Sequence, residues 1–343
     1  MTALRILHLS DTHLMGSETL HSGVVDTVAA FTFTLGAFEN AGPLDLVVLS
    51  GDVSDDGSPA SYGILRSLTG DFAARHGAVA IYAMGNHDQR AGFREVLGTG
   101  HPDPDGQPGD PSQSPAVPAG VGAPLVGVSE VAGYRILTLD SSVPGRTHGF
   151  LDAAQLDWLR SVLATDSHRG TVLVVHHPPV PPLTALHQGI ELVNAPALAQ
   201  ALEGSDVAVI LSGHYHHHLT DMLATGSGTI PVVVTAGVVN TNDVLAPPGH
   251  ERALAGTGGT LVTLTSVPAT AHGTVGRALV RTVPIHRVLP AEIAPAVVFD
   301  LGPDTVAGIS ATIAATEAEL SAGRPHRAAS AEPARPTRKD QRP

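Results

Sequence analysis

Strand-like and helix-like hydrophobic patterns alternate along the first half of the chain, and each strand-like run stops at a polar break. Leu4-Arg5-Ile6-Leu7-His8-Leu9 reads as a strand over 4–10 that ends at Asp11. Apolar side chains at Val24, Val28, Phe31, Leu35 and Phe38 recur at helical spacing, which predicts a helix over 22–40 stopped by Gly42-Pro43. Leu44 to Leu49 is a short apolar strand closed by Gly51-Asp52. Ser58-Pro59 supplies an N-cap with proline at the first helical position, and the helix continues through Ile64, Leu65, Leu68 and Phe72. Val79 to Met84 is the next strand, ending at Gly85-Asn86-His87-Asp88. Strand, helix, strand, repeated, implies parallel pairing with right-handed crossovers. Sites in such sheets lie beyond the carboxyl ends of the strands.

The pattern then breaks. Residues 101–124 hold seven prolines and four glycines among 24 and almost no large apolar side chain, which predicts a surface loop, an insertion or a lid. Order returns with a strand over Tyr134–Leu139 that ends in Asp140. Asp152 caps a helix carrying Leu156, Leu159 and Leu163, with Trp158 in the core. Thr171–Val175 leads into His176, and Val207–Leu211 leads into Gly213-His214. Ile230–Thr235, Gly259–Leu264 and Ala278–Val283 read as strands that complete a second sheet, and Thr305–Leu320 reads as a helix. The organisation expected is one catalytic domain over 1–300, a C-terminal helix over 301–320 and a disordered basic tail over 321–343.

Composition narrows the classes. The chain has 343 residues, 43% of them hydrophobic but only 3% aromatic, so the core must be built mainly from Val, Leu, Ile and Ala. No cysteine is present, which excludes disulfides and thiolate metal sites and fits a reducing compartment. The start of the chain runs into a strand, not a targeting segment, and no run approaches about 18 uninterrupted apolar residues. A cytoplasmic protein with no integral membrane segment is expected. Net charge is −13, which argues against non-specific nucleic-acid binding. The tail holds six of the 19 basic residues and two acidic ones, so the body carries −17 and the tail +4. A peripheral surface contact by that tail is the alternative to simple solvation.

The polar breaks carry the chemistry. Asp11 and His13 form Asp-x-His, Asp52 follows Ser50-Gly51, Asn86 lies in Gly85-Asn86-His87-Asp88, His176 in His176-His177-Pro178-Pro179, and His214 with His216 in Gly213-His214-Tyr215-His216. Five blocks at strand ends supply carboxylates, an amide oxygen and imidazoles, a donor mix that suits Mn, Fe, Zn or Co over Ca or Mg. Two such ions can clamp a phosphoryl group and provide a hydroxide for in-line attack. Their four positive charges against the two negative ones of Asp11 and Asp52 make the pocket positive despite the acidic chain. Asp11/His13 and His214/His216 are both i,i+2 pairs, which point to one side of a strand end. No Gly-rich phosphate cradle, Gly-x-Ser-x-Gly elbow or cysteine nucleophile competes.

The blocks Asp-x-His, Gly-Asp, Gly-Asn-His-Asp, His and Gly-His-x-His resemble the calcineurin-like metallophosphoesterases, and within them the bacterial class III cyclic nucleotide phosphodiesterases. Leu9-Ser10-Asp11-Thr12-His13-Leu14, Met84-Gly85-Asn86-His87-Asp88, Ser142-Val143-Pro144-Gly145 and His176-His177-Pro178-Pro179 extend the likeness, which covers about residues 4–290. The resemblance implies an α/β fold, a four-layer αββα sandwich of two mixed sheets flanked by helices, with a dimetal site at the strand C-terminal ends. It implies that Asp11, His13, Asp52 and His216 hold one ion, and that Asp52 bridges to a second held by Asn86, His176 and His214, with Fe and Mn favoured. His87 and Asn86 are the implied catalytic residues, His87 protonating the leaving alkoxide. His13, Asp52, Asn86, His87 and His216 are the implied substrate contacts. The implied reaction is hydrolysis of 3′,5′-cyclic AMP to 5′-AMP by a metal-bound hydroxide, in a homodimer. Alternatives are 2′,3′-cyclic nucleotides, glycerophosphodiesters or phosphomonoesters as substrates, and a non-catalytic scaffold.

Neighbouring polar residues have plainer readings. Asp88 is expected to fix its turn through backbone hydrogen bonds. Asp140 reads as a strand-end anchor, Arg90 as a candidate phosphate contact, and His177 as a turn-facing residue beside the ligand His176. Asp55 and Asp56 read as solvated loop carboxylates, with orientation of His87 as the competing role. His217 and His218, outside the family pattern, are expected to be exposed, and His148 and His187 have no assigned role.

Overall fold

The computed structural model describes residues 3–103, 106–110, 122–165, 167–265 and 278–321, the last six as backbone. The chain runs β1 (Leu4–Leu9), α1 (Thr27–Ala37), β2 (Leu46–Leu49), α2 (Pro59–His76), β3 (Val79–Tyr82) and α3 (Arg90–Leu97). A hairpin of β4 (Gly127–Val131) and β5 (Tyr134–Leu139) leads to α4 (Ala153–Leu163), β6 (Thr171–Val175), α5 (Ala185–Gln188), α6 (Ala195–Ala201) and β7 (Val207–Ser212). The remainder is β8 (Leu219–Thr225), β9 (Gly228–Val234), β10 (Thr241–Asn242), β11 (Glu251–Leu254), β12 (Gly256–Thr265), β13 (Leu279–Val288), β14 (Val297–Leu301) and α7 (Pro303–Ser321).

Two large mixed sheets form, in the orders β13-β12-β1-β2-β3 and β4-β5-β6-β7-β9-β8. Side-chain alternation along the central strands builds the layers. Leu4, Ile6, Leu46 and Val48 point inward and meet Ile136, Val172, Val174, Val209 and Leu211 between the sheets. The intervening Leu7, Leu9, Val47 and Leu49 pack outward on Phe31, Leu35, Leu65 and Phe72 of α1 and α2. Leu137, Leu173 and Val175 pack outward on Trp158 and Leu159 of α4 and Leu198 of α6. Three apolar clusters separated by two sheets are the αββα sandwich that the family resemblance implies.

Helix entries follow local capping. Ser58 caps α2 by accepting from the Ser61 N–H, Pro59 stands at its first position, and Gly77 ends it at φ 72°. α1 begins later than the periodicity suggests, because Asp26 is its N-cap. His21 and Val25 instead form an isolated bridge that folds the preceding loop back toward the site.

Two assignments need correction. The strands expected over 259–264 and 278–283 do not complete the second sheet. They are β12 and β13, and β12 pairs antiparallel with β1, Leu4 opposite Leu264. Alternation shows that a strand is half-buried but not which sheet receives it. A third sheet, β10-β11-β14, was not expected. Its strands have two, four and five residues, too few for a periodic signal. The Pro/Gly-rich segment at 104–105 and 111–121, and the tail from 322, lie outside the described residues. Among the described residues no helix is long and apolar enough to cross a membrane.

Candidate metal centre

β1 runs into Asp11 and His13, β2 into Asp52, β3 into Asn86 and His87, β6 into His176, and β7 into His214 and His216. The backbone at these turns is strained. Seven non-glycine residues among those described have positive φ, and five are Asp11 (55°), His13 (41°), Asp52 (47°), His214 (69°) and His216 (51°). Each such conformation costs on the order of 1–3 kcal/mol and persists only where its surroundings dictate it. The i,i+2 pairs therefore converge through left-handed turns, not through strand pleat. Glycines make room for them. A Cβ on Gly85 would lie 2.2 Å from Oδ1 of Asp52, and one on Gly51 would lie 2.5 Å from Nδ1 of His176.

Two donor groups meet at Asp52. Asp11, His13 and His216 bring one donor atom each within 4.8 Å of one another, and so do Asp52, His176 and His214. His216 Nε2 lies 3.2 Å from Asp11 Oδ1. Oδ2 of Asp52 lies 3.3 Å from Nε2 of His176 and 3.8 Å from Nε2 of His13, so one carboxylate oxygen faces both groups. Its other oxygen accepts the His87 N–H at 2.8 Å. Oδ1 of Asn86 and Nε2 of His176 are buried without a hydrogen-bond partner. Orphaned buried donors and acceptors are rare, and here they point into a cluster of potential ligands.

The histidines are oriented from behind. Nδ1 of His13 faces Asp55 at 3.2 Å, Nδ1 of His176 donates to the Ser50 carbonyl at 3.0 Å, and Nδ1 of His216 donates to Oδ1 of Asn240 at 2.8 Å. Each leaves Nε2 for an ion. His214 is reversed: its Nε2 donates to the Ile190 carbonyl at 2.8 Å, which leaves Nδ1. Fixing one nitrogen with an outer partner sets the tautomer of a ligand imidazole.

The electrostatics favour cations between the carboxylates. Burial opposes ionisation of Asp11 and Asp52, yet His216 beside the first and His176 beside the second hold both low, Asp11 at about 2. Burial would lower His176 and His87, but Asp52 raises both to about 9. Burial keeps His13 at about 4 and His214 well below its ordinary value, so both are neutral and ready to ligate. Buried carboxylates that draw protons onto their neighbours attract divalent ions still more strongly.

Asp55 is not the solvated carboxylate expected from its loop. Its side chain is 1% exposed and faces Nδ1 of His87 at 2.9 Å, of His13 at 3.2 Å and of His21 at 3.3 Å. Burial works to raise it, and those three histidines overwhelm that and hold it far below the usual carboxylate range. The side chain sits only three residues past Asp52, on the turn that the strand end forces inward. His21, which no motif flags, packs on His13 with ring centres 4.7 Å apart. Asp56 is the surface member of the pair, accepting from the Gly16 and Ser58 N–H groups.

Asp88 fixes its turn, as expected, by accepting from Gly85, Val53 and Ser54 N–H groups. Asp140 is an anchor for the Leu125 and Ser142 N–H groups and binds Arg90 Nε at 2.7 Å. Arg90 also donates to the carbonyls of Gly122 and Ser142, so it is engaged by protein groups, not held ready for a phosphate. His177 is wholly buried, bonded to Ser141 and to the Thr147 carbonyl. His217 is not exposed either. It is 7% accessible and stacks on Tyr215, because β8 turns back beside β9 directly after it. His218 is half-buried and reaches the Ile285 carbonyl at 3.2 Å.

Comparison with known proteins identifies the family. A family model described as calcineurin-like phosphoesterase matches residues 4–218. A cAMP/cGMP dual specificity phosphodiesterase of Mycobacterium tuberculosis is 38% identical over 72% of this chain and 71% of its own length. A probable cyclic nucleotide phosphodiesterase of Rhodococcus erythropolis is 36% identical over 79% of this chain and 85% of its own. A 3′,5′-cyclic adenosine monophosphate phosphodiesterase of Escherichia coli K12 is 30% identical over 63% and 70%. With the family model spanning most of the chain and a relative 38% identical over 72% of it, this protein belongs to the calcineurin-like phosphoesterases.

Proposed function

We propose that the protein hydrolyses 3′,5′-cyclic AMP to 5′-AMP at a two-ion centre. The observation that carries this is the position of Asp52 Oδ2, within 3.8 Å of donor nitrogens from both ligand groups. Asp11, His13 and His216 would hold one ion with Asp52, and Asn86, His176 and His214 the other. The donor mix suits Mn, Fe, Zn or Co, and among these the family resemblance favours Fe and Mn. Two bound ions supply Lewis-acid polarisation of the phosphoryl oxygens and acidify a water for in-line attack.

The protein's own groups do the rest. Asp52 divides its oxygens, Oδ2 toward the donor nitrogens of both groups and Oδ1 to the His87 N–H, so a single carboxylate would serve the ions and positions the acid. Asp55 holds Nδ1 of His87 and leaves Nε2 to give its proton to the departing 3′ oxygen as the P–O bond breaks. His87 is 35% exposed at its side chain, enough to meet a substrate. The substrate names carried by the mycobacterial and enterobacterial relatives support a cyclic nucleotide. A cytoplasmic homodimer is the form this reading favours.

Initial rates with Mn-reconstituted protein on 3′,5′-cyclic AMP and 2′,3′-cyclic AMP test the proposal. Efficient opening of the 3′,5′ ester, lost in Asn86→Ala with the fold retained, is expected. A large preference for the 2′,3′ ester would reassign the substrate. An Asn86→Ala variant with unchanged rate and ion content would overturn the site.

A further inference from the structure

The third sheet lies wholly beyond the residues matched by the family model, yet it reaches the candidate ligands. We propose that Asn242, with Asn240, His187 and Glu251, forms a positioning frame that sets the His214-Tyr215-His216 turn and so presents His214 and His216 to the two ion sites together. The inference rests on the two-ion reading above.

His214 and His216 both occupy the left-handed region, and every carbonyl of the turn is met by a separate donor. The His214 oxygen accepts from Nε2 of His187 at 3.2 Å, the Tyr215 oxygen from Nδ2 of Asn242 at 3.2 Å and from Nδ1 of His217 at 2.7 Å, and the His216 oxygen from the Asn242 backbone N–H at 2.9 Å. The His216 ring is held separately by Asn240 at 2.8 Å. Two residues of one short segment thus grip both the backbone and the imidazole of the turn.

The frame is itself determined. The Asn242 amide has two hydrogens, and the one not given to Tyr215 goes to Oε1 of Glu251 at 2.9 Å. Glu251 is 2% exposed, and its carboxylate forbids the flipped amide, whose oxygen would face two acceptors. Nε2 of His187 faces the His214 carbonyl, and its Nδ1 lies 2.7 Å from the Thr184 hydroxyl and 3.4 Å from Oε1 of Glu251. Pairing of Asn242 with Ala253 ties the frame to β11.

Asn242→Asp is the decisive variant, with Asn242→Ala and Glu251→Gln beside it. The aspartate keeps size and the backbone bond to His216, but it sets a carboxylate against Glu251 and the Tyr215 carbonyl. Full-length apo protein would be titrated with Mn(II) by calorimetry and electron paramagnetic resonance, and the unfolding midpoint of each apo protein measured in parallel. Both Asn242 variants are expected to bind Mn(II) about 10–100-fold more weakly and to lose the coupled two-ion signal, with apo midpoints close to the parent. Glu251→Gln retains an acceptor for the amide and is expected to keep near-parent affinity. Parent affinity and coupling in both Asn242 variants would overturn the inference, as would affinity that falls only in step with loss of fold. If Asn242→Asp does not fold, Asn242→Ala decides alone. Failure of the parent protein to bind two ions would overturn the two-ion reading instead.

Discussion

Asp55→Asn separates the tasks placed on one buried carboxylate. The side chain faces three ring Nδ1 atoms at 2.9, 3.2 and 3.3 Å. Oδ1 faces His87 and His13 while Oδ2 faces His21. An asparagine keeps the volume but is neutral and has one acceptor oxygen. With that oxygen toward His87 and His13, the charge that holds the acid protonated is lost and His21 meets a donor. With the amide turned, His87 and His13 both meet N–H groups, and a proton moved to Nε2 of His13 would block the nitrogen facing Asp52 and His216. Loss of a positioned general acid costs about 10²–10⁴ in rate, and a disturbed outer partner of a ligand costs about 10–100 in ion affinity. The rate loss corresponds to roughly 3–5 kcal/mol of transition-state stabilisation. The assay is kcat and KM for 3′,5′-cyclic AMP at saturating Mn(II), with bound ion counted and a separate Mn(II) titration. The expectation is a large fall in kcat, KM within a few-fold, two ions retained at saturation, and weaker Mn(II) binding. A kcat within about threefold of the parent, with unchanged ion affinity, would refute the reasoning and leave Asp55 a structural group.

Three further outcomes are expected. Gly85→Ala places a methyl 2.2 Å from Oδ1 and 2.3 Å from the backbone nitrogen of Asp52, so it should destabilise by about 1–3 kcal/mol and release bound Mn(II), read by thermal unfolding and ion analysis. Ile136→Ala opens a cavity between the sheets, where Ile136 is wholly buried. It should lower urea stability by about 2–5 kcal/mol while kcat of the folded enzyme is unchanged. Burial alone holds His101 at about 3 in the folded protein, against 6.5 when free. Protonation therefore accompanies unfolding: its contribution is complete above pH 6.5 and drains away as pH falls toward about 3. His101→Gln should flatten the urea stability curve over that window, and an unchanged slope would show that His101 is already charged in the fold.

Much of the fold was legible because the central strands are short, near-continuous apolar runs. Leu46-Val47-Val48-Leu49 and Val172-Leu173-Val174-Val175 have the pattern of strands covered on both faces. The candidate ligand cluster was legible for a related reason. Each sits on a turn directly after a strand, so a few consecutive residues carry both the turn and its chemistry. The return of β12 and β13 to the first sheet was not legible, since a half-buried strand fits either sheet equally well. Asp55 misled because its neighbours Asp56, Gly57 and Ser58 are those of a surface loop, while its own side chain turns inward under Asp52.

The supports of the site were hidden for a deeper reason. His13 and His216 are 203 positions apart and their Nε2 atoms lie 3.4 Å from each other. Neither can be held there by its own turn, because both turns are left-handed and unfavourable alone. The free energy that holds them must come from groups that the turn itself does not contain. Those groups are polar contacts: Asp55 behind His13, Asn240 behind His216, and Asn242 with His217 at the Tyr215 carbonyl. One asparagine in a two-residue strand has no periodicity and no motif. A site of this kind announces its ligands through local turns and conceals the frame that makes those turns possible, and the strained φ angles are what lead from one to the other.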